Sequence, residues 1–446
     1  MELLEGKTMR TLSQQIVSTK QEEIAELARR EPKLVLTTLA HHIDVEWLHE
    51  AYRRTRKDGA VGVDGVTAMQ YEANLEENLT SLLDRFKSGR YRAPPVRRKH
   101  IEKDGAGKKT RPIGIPSFED KVLQRAVLMV LEPVYEQDFL DCSFGFRPGL
   151  GALHTVEVLW KGLMRIGGGW VIDLDIQSFF DSVDRAWLRS FLDQRVRDGV
   201  IRRAIGKWLR AGVMEEGVLS YPEEGTPQGG VISPMLSNIF LHEVLDTWFE
   251  NEVKPVMRGR TFMVRFADDA VLAFEREDDA RRVLAVLSKR FGKYGLTLHP
   301  EKTRLVDFRR PVRGTRPGAD HSFDMLGFTH FWGRSRRGSW VVKRKTAKSR
   351  FSRTLRRINR WCRDNRHKSV AEQLKVLNQK LRGHDAYYGV TGNGNALRHL
   401  RRMVERIWCK WLNRRSHKAN MTWAKFQRLR RRYPLAPLRV VHSIYR

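Results

Sequence analysis

Two adjacent aspartates, Asp268 and Asp269, follow the apolar run Val264-Arg265-Phe266-Ala267, and a third, Asp175, ends another, Val171-Ile172-Asp173-Leu174. Carboxylates against β-prone apolar segments carry a desolvation cost that something must offset. A pair of divalent cations can do so. Hard, oxygen-seeking Mg²⁺ at a strand end lowers the pKa of an attacking hydroxyl and steadies in-line displacement at phosphorus. Alone, an Asp-Asp pair between apolar segments is more often a solvated turn than a metal site. Asp175 shifts that balance, because neighbouring strands can bring the three acids to one edge. Within a hairpin, side chains alternate faces, so only one of Asp268 and Asp269 can project squarely into the site; the other supports it from the turn.

The elements that must position these acids alternate strand and helix patterns. Residues 1–45 read as helical and polar. Residues 97–101 and 110–115 read as the strands of a hairpin tipped by Asp104-Gly105-Ala106-Gly107. The neighbouring Gly107-Lys108-Lys109-Thr110 lacks the Lys-Ser/Thr step of a phosphate loop and is not read as one. A helix over 119–136, a strand over 170–176 and helices over 185–196 and 201–211 follow. The loop Glu224-Gly225-Thr226-Pro227-Gln228-Gly229-Gly230 opens a helix with Met235, Leu236, Ile239, Phe240 and Val244 at apolar positions. Then come strand–turn–strand at 262–274, a helix at 277–294, and strands near 296–298 and 303–308. This interleaving predicts an α+β domain with a mostly antiparallel sheet.

The formal net charge of +31 is unevenly placed. From Gly333 onward there are 33 Lys and Arg against four acids, a net +29, leaving 50 bases against 48 acids before it. Six of the twelve Trp lie at or after Trp332. Cations for phosphates interleaved with aromatics for bases point to nucleic acid more than to a membrane surface. Near the end, Leu397, Leu400, Met403, Val404, Ile407, Trp408 and Trp411 keep helical spacing on one face. Arg398, Arg401, Arg402, Lys410 and Arg414 occupy the rest, a face able to hold a nucleic-acid backbone. No apolar run approaches the roughly 18 residues of a membrane span. The acidic start, Met1-Glu2-Leu3-Leu4-Glu5-Gly6-Lys7, does not read as a signal peptide. Cys142, Cys362 and Cys409 stand far apart, which excludes a disulfide framework or zinc ribbon and fits a cytoplasmic protein.

Six ordered segments carry a family resemblance: Arg111-Pro112-Ile113-Gly114-Ile115-Pro116, Ser143-Phe144-Gly145-Phe146-Arg147-Pro148-Gly149, Val171 to Asp181, Gly225 to Gly230, Phe266-Ala267-Asp268-Asp269 and Leu326-Gly327-Phe328. From about Gly62 to the tail the chain resembles the group II intron-encoded reverse transcriptases and maturases. The resemblance implies a right-hand polymerase, with fingers and palm followed by an α-helical thumb called domain X. It makes Asp175, Asp268 and Asp269, with the Ile176 backbone carbonyl, the ligands of two Mg²⁺ ions. Lys302 would protonate the departing pyrophosphate, Arg111 would contact the incoming triphosphate, and Gln228 would sit beside the nascent base pair. Phe180, five residues after Asp175, would exclude a ribose 2′ hydroxyl and so select dNTPs. Phe179 and Phe180 could both be core; one of them is expected to be.

The resemblance further implies group II intron RNA, an RNA template with a DNA primer, and a DNA target as partners. It leaves a homodimer open and implies no membrane. It divides the chain into an N-terminal helical extension (1–60), fingers and palm (61–332), domain X (333–415) and a basic tail (416–446). Leu381-Arg382-Gly383-His384-Asp385-Ala386-Tyr387-Tyr388-Gly389 carries the thumb likeness. In the tail, the stretch 425–432 would be a reduced DNA-binding region without an endonuclease. The departures are Phe266 for the usual Tyr, Gln177 for Lys and His299 for Asn; none removes a metal ligand. Two alternatives stay open: an RNA-binding splicing factor whose polymerase site is unused, and a domesticated relative in defence.

Overall fold

The computed structural model describes residues 2–102, 110–215, 217–221, 225, 229–312, 321–416 and 420–443, with side chains from residue 14 onward. Helices α1 (Glu2–Arg30), α2 (Val45–Arg54), α3 (Ala68–Glu72) and α4 (Leu75–Lys87) lead to strands β1 (Val96–Glu102) and β2 (Thr110–Ile115). Helix α5 (Phe118–Asp138), α6 (Ala152–Ile166), β3 (Trp170–Leu174), α7 (Phe179–Ser182), α8 (Arg185–Asp193) and α9 (Gly199–Leu209) come next. Then follow β4 (Val213–Glu215), β5 (Val218–Ser220), α10 (Ser233–Leu241), β6 (Thr261–Phe266), β7 (Asp269–Phe274) and α11 (Glu277–Gly292). The remainder is β8 (Arg304–Asp307), β9 (Ser322–Met325), β10 (Phe328–Arg334), β11 (Trp340–Thr346) and helices α12 (Lys348–Asp364), α13 (Val370–Tyr388), α14 (Gly394–Leu412) and α15 (Trp423–Arg432).

Among the described residues, three sheets result. One runs β2-β1-β4-β5, one β6-β7-β3-β8 and one β11-β10-β9. The second, which carries the acids, is antiparallel throughout, as expected for this α+β chain. Its two faces bury alternate residues. Ile172, Leu174, Leu272 and Phe274 join the large core with α5 and α10, while Val171, Val271, Ala273 and Val306 join a smaller core with α6 and the third sheet. The period-2 alternation of a strand buried on both sides explains why Val171-Ile172 and Val271-Leu272 read as continuous apolar runs.

The N-terminal helices are part of this large core: Val17, Ile24 and Ala28 of α1 and Trp47, Leu48 and Ala51 of α2 are buried in it. Asp198, the N-cap of α9, also accepts from the Leu39 and Ala40 amides at 2.7 and 2.8 Å. That fastens the N-terminal segment to residues more than 150 positions away.

Two expectations need correction. The strand near 296–298 is reduced to an isolated bridge between Ile176 and Leu298, since Gly295 (φ +76°) and Pro300 leave little extended chain between them. The boundary drawn at 332/333 cuts through β10, which pairs with β11 from Phe328↔Thr346 to Arg334↔Trp340. The helical region starts at Lys348. Its core is separate, built from Ile358, Leu377, Leu381, Leu400, Val404, Trp408 and Phe426.

Candidate active site

The register of β3, β7 and β6 delivers the acids. Asp173 pairs with Val271 and Leu174 with Ala270, so Asp175, just past β3, arrives beside Asp269 at the start of β7. Phe266↔Asp269 closes the β6–β7 hairpin over the two residues Ala267 and Asp268. Asp269, together with Asp173, Asp175, Lys302, Asp324, Leu326, Gly327, Ser349 and Arg350, lines a cleft of about 250 Å³. Asp268 does not line it and stays in the turn. That is the division of labour expected from hairpin geometry.

Asp175 is held from behind by the segment after α11. Its carbonyl accepts from the His299 amide at 2.8 Å and from Thr303 Oγ1 at 3.1 Å. In front, Lys302 Nζ donates to both of its carboxylate oxygens, at 3.1 and 3.0 Å. The structure thus brings together two residues assigned different tasks, a metal-binding acid and a proton donor.

Charge accumulates here. Asp269 is open to solvent on one side, yet the walls around it, then the charges of Asp268, Asp175 and Asp173, push its carboxyl up to about 6; Arg350 pulls the other way. Asp173 is likewise raised to about 6, chiefly by burial, against the opposing pull of Arg304 at 3.4 Å. Sequence reasoning missed Asp173, Asp324 and Arg350 as cleft residues. Asp173 could have been found, because it shares a strand face with Asp175 two residues on.

Among the described residues, no three His, Cys, Asp or Glu side chains converge closely enough to hold a metal ion. The donor chemistry nevertheless fits one. Carboxylate oxygens suit Mg²⁺, and the like charges that add to burial in raising Asp269 are relieved by a cation. Asp175 and Asp269 are the residues at the cleft that would hold it, with Asp268 beside them.

Backbone strain marks the same place. Among the described residues four non-glycines have positive φ: Phe146 (60°), Ser178 (47°), Ala267 (57°) and Leu326 (50°). Each lies in one of the segments singled out by sequence. Such conformations persist only where surroundings over-determine them, and they cluster at functional sites.

The remaining assigned residues fall as follows. Phe179 is core and Phe180 half-buried, their rings edge-on at 5.4 Å, so one of the pair is indeed core. Arg111 is exposed on β2 opposite Ile101. The Ile176 residue is buried beside Leu298. Gln228 and the tip of the β1–β2 hairpin lie outside the described residues. A Cβ on Gly229 (φ +115°) would come within 2.4 Å of the Gly114 carbonyl, so Gly229 lies directly on β2.

On α14 the predicted stripe is buried at Leu397, Leu400, Val404 and Trp408, and Arg398, Arg402 and Lys410 face water, as does Arg414 just beyond. Arg401 is a correction. Its guanidinium pairs with the buried Asp385 and donates to the Ala436 and Pro437 carbonyls. Asp385, from the facing helix α13, captures the one arginine of the set that sits at the edge of the apolar stripe. Exposed Arg356, Arg357, Arg360 and Arg363 on α12 extend the basic surface beyond the residues singled out by sequence.

Residues 101–330 match the family model of reverse transcriptase (RNA-dependent DNA polymerase). This chain belongs to the reverse transcriptase family. Protein YkfC of Escherichia coli (strain K12) is 33% identical over 369 residues, 73% of this chain and 91% of YkfC. The group II intron-encoded protein LtrA of Lactococcus lactis subsp. cremoris is 33% identical over 240 residues, covering 53% of this chain but only 38% of LtrA. Nuclear intron maturase 2, mitochondrial, of Arabidopsis thaliana is 29% identical over 249 residues, 45% of this chain and 32% of that protein. With these relatives the chain groups with group II intron reverse transcriptases and maturases, as its motifs implied. The family carries the right-hand polymerase fold and RNA-directed DNA polymerase activity, and its members generally work with divalent metal ions. Among the described residues, no helix is long and apolar enough to cross a membrane.

Proposed function

We propose that this reverse transcriptase copies a group II intron RNA by two-metal transfer of dNTPs onto a primer 3′ hydroxyl. We further propose that its basic C-terminal helices hold that RNA for splicing and for retrohoming. The observation that carries the polymerase reading is the cleft itself: Asp175 and Asp269 share one mouth with Lys302, and Asp269 is raised to about 6 by burial and neighbouring acids. Bound there, divalent ions would activate the 3′ hydroxyl and neutralise charge on the transferring phosphoryl group.

The chain's own residues do the rest. The 3′ oxygen bonds to the α-phosphorus as the bond to the β-phosphate oxygen breaks, and pyrophosphate leaves. Lys302, whose ammonium already reaches the Asp175 carboxylate, is placed to give the leaving group its proton. Phe180 stands as the barrier against a 2′ hydroxyl, and Arg111 and Gln228 meet the triphosphate and the nascent pair. In this reading residues 61–347 are fingers and palm, and the helices from Lys348 are the thumb.

The test is extension of a DNA primer on an RNA template with dNTPs. Wild type extends; Asp268→Ala does not, and Phe180→Ala begins to accept ribonucleotides. Extension that survives Asp268→Ala overturns the assignment of the acids.

A further inference from the structure

We propose that Arg265 is the positioning residue of the Ala267-Asp268 turn: a buried guanidinium that ties the loop at Ser143 and the helical stretch from Asn238 to Asp246 to the carbonyl immediately before the aspartate pair. The inference rests on reading those aspartates as the polymerase acids, and it adds a residue that touches neither nucleotide nor metal.

Arg265 lies on β6 with no exposed surface, and Asp246, at the end of the π-helical turn His242–Asp246, is equally buried. Arginine has five N–H donors in a fixed fork, and here each has a partner. Nε donates to Asp246 Oδ1 at 2.7 Å, and Nη2 to Asp246 Oδ2 at 2.5 Å and Ser143 Oγ at 2.7 Å. Nη1 donates to Asn238 Oδ1 and to the Ala267 carbonyl, both at 3.0 Å. The backbone of Arg265 joins the same network: its amide donates to the Cys142 carbonyl at 2.7 Å and its carbonyl accepts from the Phe144 amide at 2.9 Å. Asn238 of α10 closes the circuit by donating to the Gly145 carbonyl at 2.7 Å.

Stability alone is a poor explanation for this arrangement. Replacing a buried ion pair by apolar residues of similar volume is often neutral or stabilising, whereas a fully satisfied polar network fixes one geometry. The geometry fixed here is an unusual one. Ala267 sits at φ +57°, a conformation a non-glycine keeps only under constraint. From the other side a Cβ on Gly145 would lie 2.2 Å from the Ala267 nitrogen, so the loop at 143–147 is pressed directly onto the turn. Guanidinium in front and loop backbone behind leave Ala267, and so Asp268, one position. The spacing of two sequence motifs, Ser143 to Gly149 and Phe266 to Asp269, thereby acquires a physical link.

Lysine keeps the charge but loses the fork, so it can serve one or two of these acceptors at most. A control is available in Arg195, another guanidinium in the large core. It pairs with Asp138 at 2.8 Å and donates to the Ala28, Glu31 and Leu34 carbonyls. It contacts no acid of the cleft.

Four proteins are compared on primed RNA under single turnover: wild type, Arg265→Lys, Ser143→Ala and Arg195→Lys, each at a temperature where circular dichroism shows it folded. Hydrogen exchange of the peptide spanning 265–270 and primer–template affinity are measured alongside. Arg265→Lys is expected to lose about 100-fold in the incorporation rate, as small misplacements do, with primer–template affinity and dNTP KM little changed and faster exchange at the turn. Ser143→Ala, which removes one acceptor, is expected to lose several-fold, and Arg195→Lys to keep its rate at an equal drop in melting temperature. A folded Arg265→Lys within threefold of the wild-type rate overturns the proposal, as does an equal loss in Arg195→Lys. Should Arg265→Lys not fold, an unchanged rate in Ser143→Ala overturns it. Extension by Asp268→Ala would instead overturn the assignment of the acids.

Discussion

In the cleft at the ends of β3 and β7, burial and then neighbouring carboxylates raise both Asp173 and Asp269 to about 6. Along α12 and α14, Arg356, Arg357, Arg360, Arg398 and Arg402 face water, over a core the sheets do not share. One region holds charge where it is costly, over strained backbone and a fully bonded Arg265. The other holds charge where solvation makes it nearly free. Costly charge needs a rigid, specific frame and answers steeply to small displacements; cheap charge is redundant and answers gradually. On the proposed function, the difference separates a reaction centre from a binding surface in physical terms, and it can be broken at defined points.

The steepest expected loss is at Asp175. Asp175→Asn should lower nucleotide incorporation by about 10⁴-fold or more, as removal of a catalytic group does, while RNA affinity stays at the wild-type value. Equal losses in both would merge the two regions. Arg401 sharpens the comparison from the other side, because it belongs to the basic region by sequence and to the costly kind by environment. Arg401→Ala strands the buried Asp385 and should destabilise the protein by about 3–5 kcal/mol in a denaturant melt. A melt unchanged from wild type would return it to the RNA-binding set.

Gly145→Ala drives a methyl group against the Ala267 amide. It should cut incorporation by about 100-fold, again at constant RNA affinity. Next in size is a pH effect. His330 is fully buried, stacked on Phe323 with Arg344 nearby, and burial lowers its pKa to about 3. The unfolded chain protonates near pH 6.5 and the folded one does not. The stability it contributes is therefore complete above pH 6.5 and is lost as pH falls, by about 1.4 kcal/mol per unit. Chemical denaturation at pH 7 and pH 5 reads this, and His330→Phe should flatten the slope. Smallest is Arg402→Ala on the open face of α14. It should weaken RNA binding only a few-fold and reduce the slope of log affinity against log salt by about one.

Much of this was legible in the chain, for reasons that differ by element. The hairpin of Asp268 and Asp269 and the strand before Asp175 announce themselves through short continuous apolar runs, and the stripe of α14 through helical spacing. Assigning one aspartate to the cleft and one to the turn followed from strand alternation alone. The third sheet was hidden because β10 and β11 bury His330 and Arg344 among their apolar residues, which blurs the alternation. That concealment placed the 332/333 boundary inside a strand. Helix α6 was legible but overlooked: Val156, Leu159, Leu163 and Ile166 keep helical spacing and are buried. Arg265 gave no sequence signal, since its Asp246, Asn238 and Ser143 partners are up to 122 residues away. Nor did Arg401, whose partner Asp385 lies on another helix.

The two regions meet in one measurement: single-turnover dNTP incorporation on primed RNA by wild type and Asp268→Ala, with RNA affinity determined on the same preparations. The predicted result is abolished incorporation and unchanged affinity. Incorporation that persists in Asp268→Ala, or affinity that falls with it, would contradict the separation of an acid-built reaction centre from a basic RNA-holding surface.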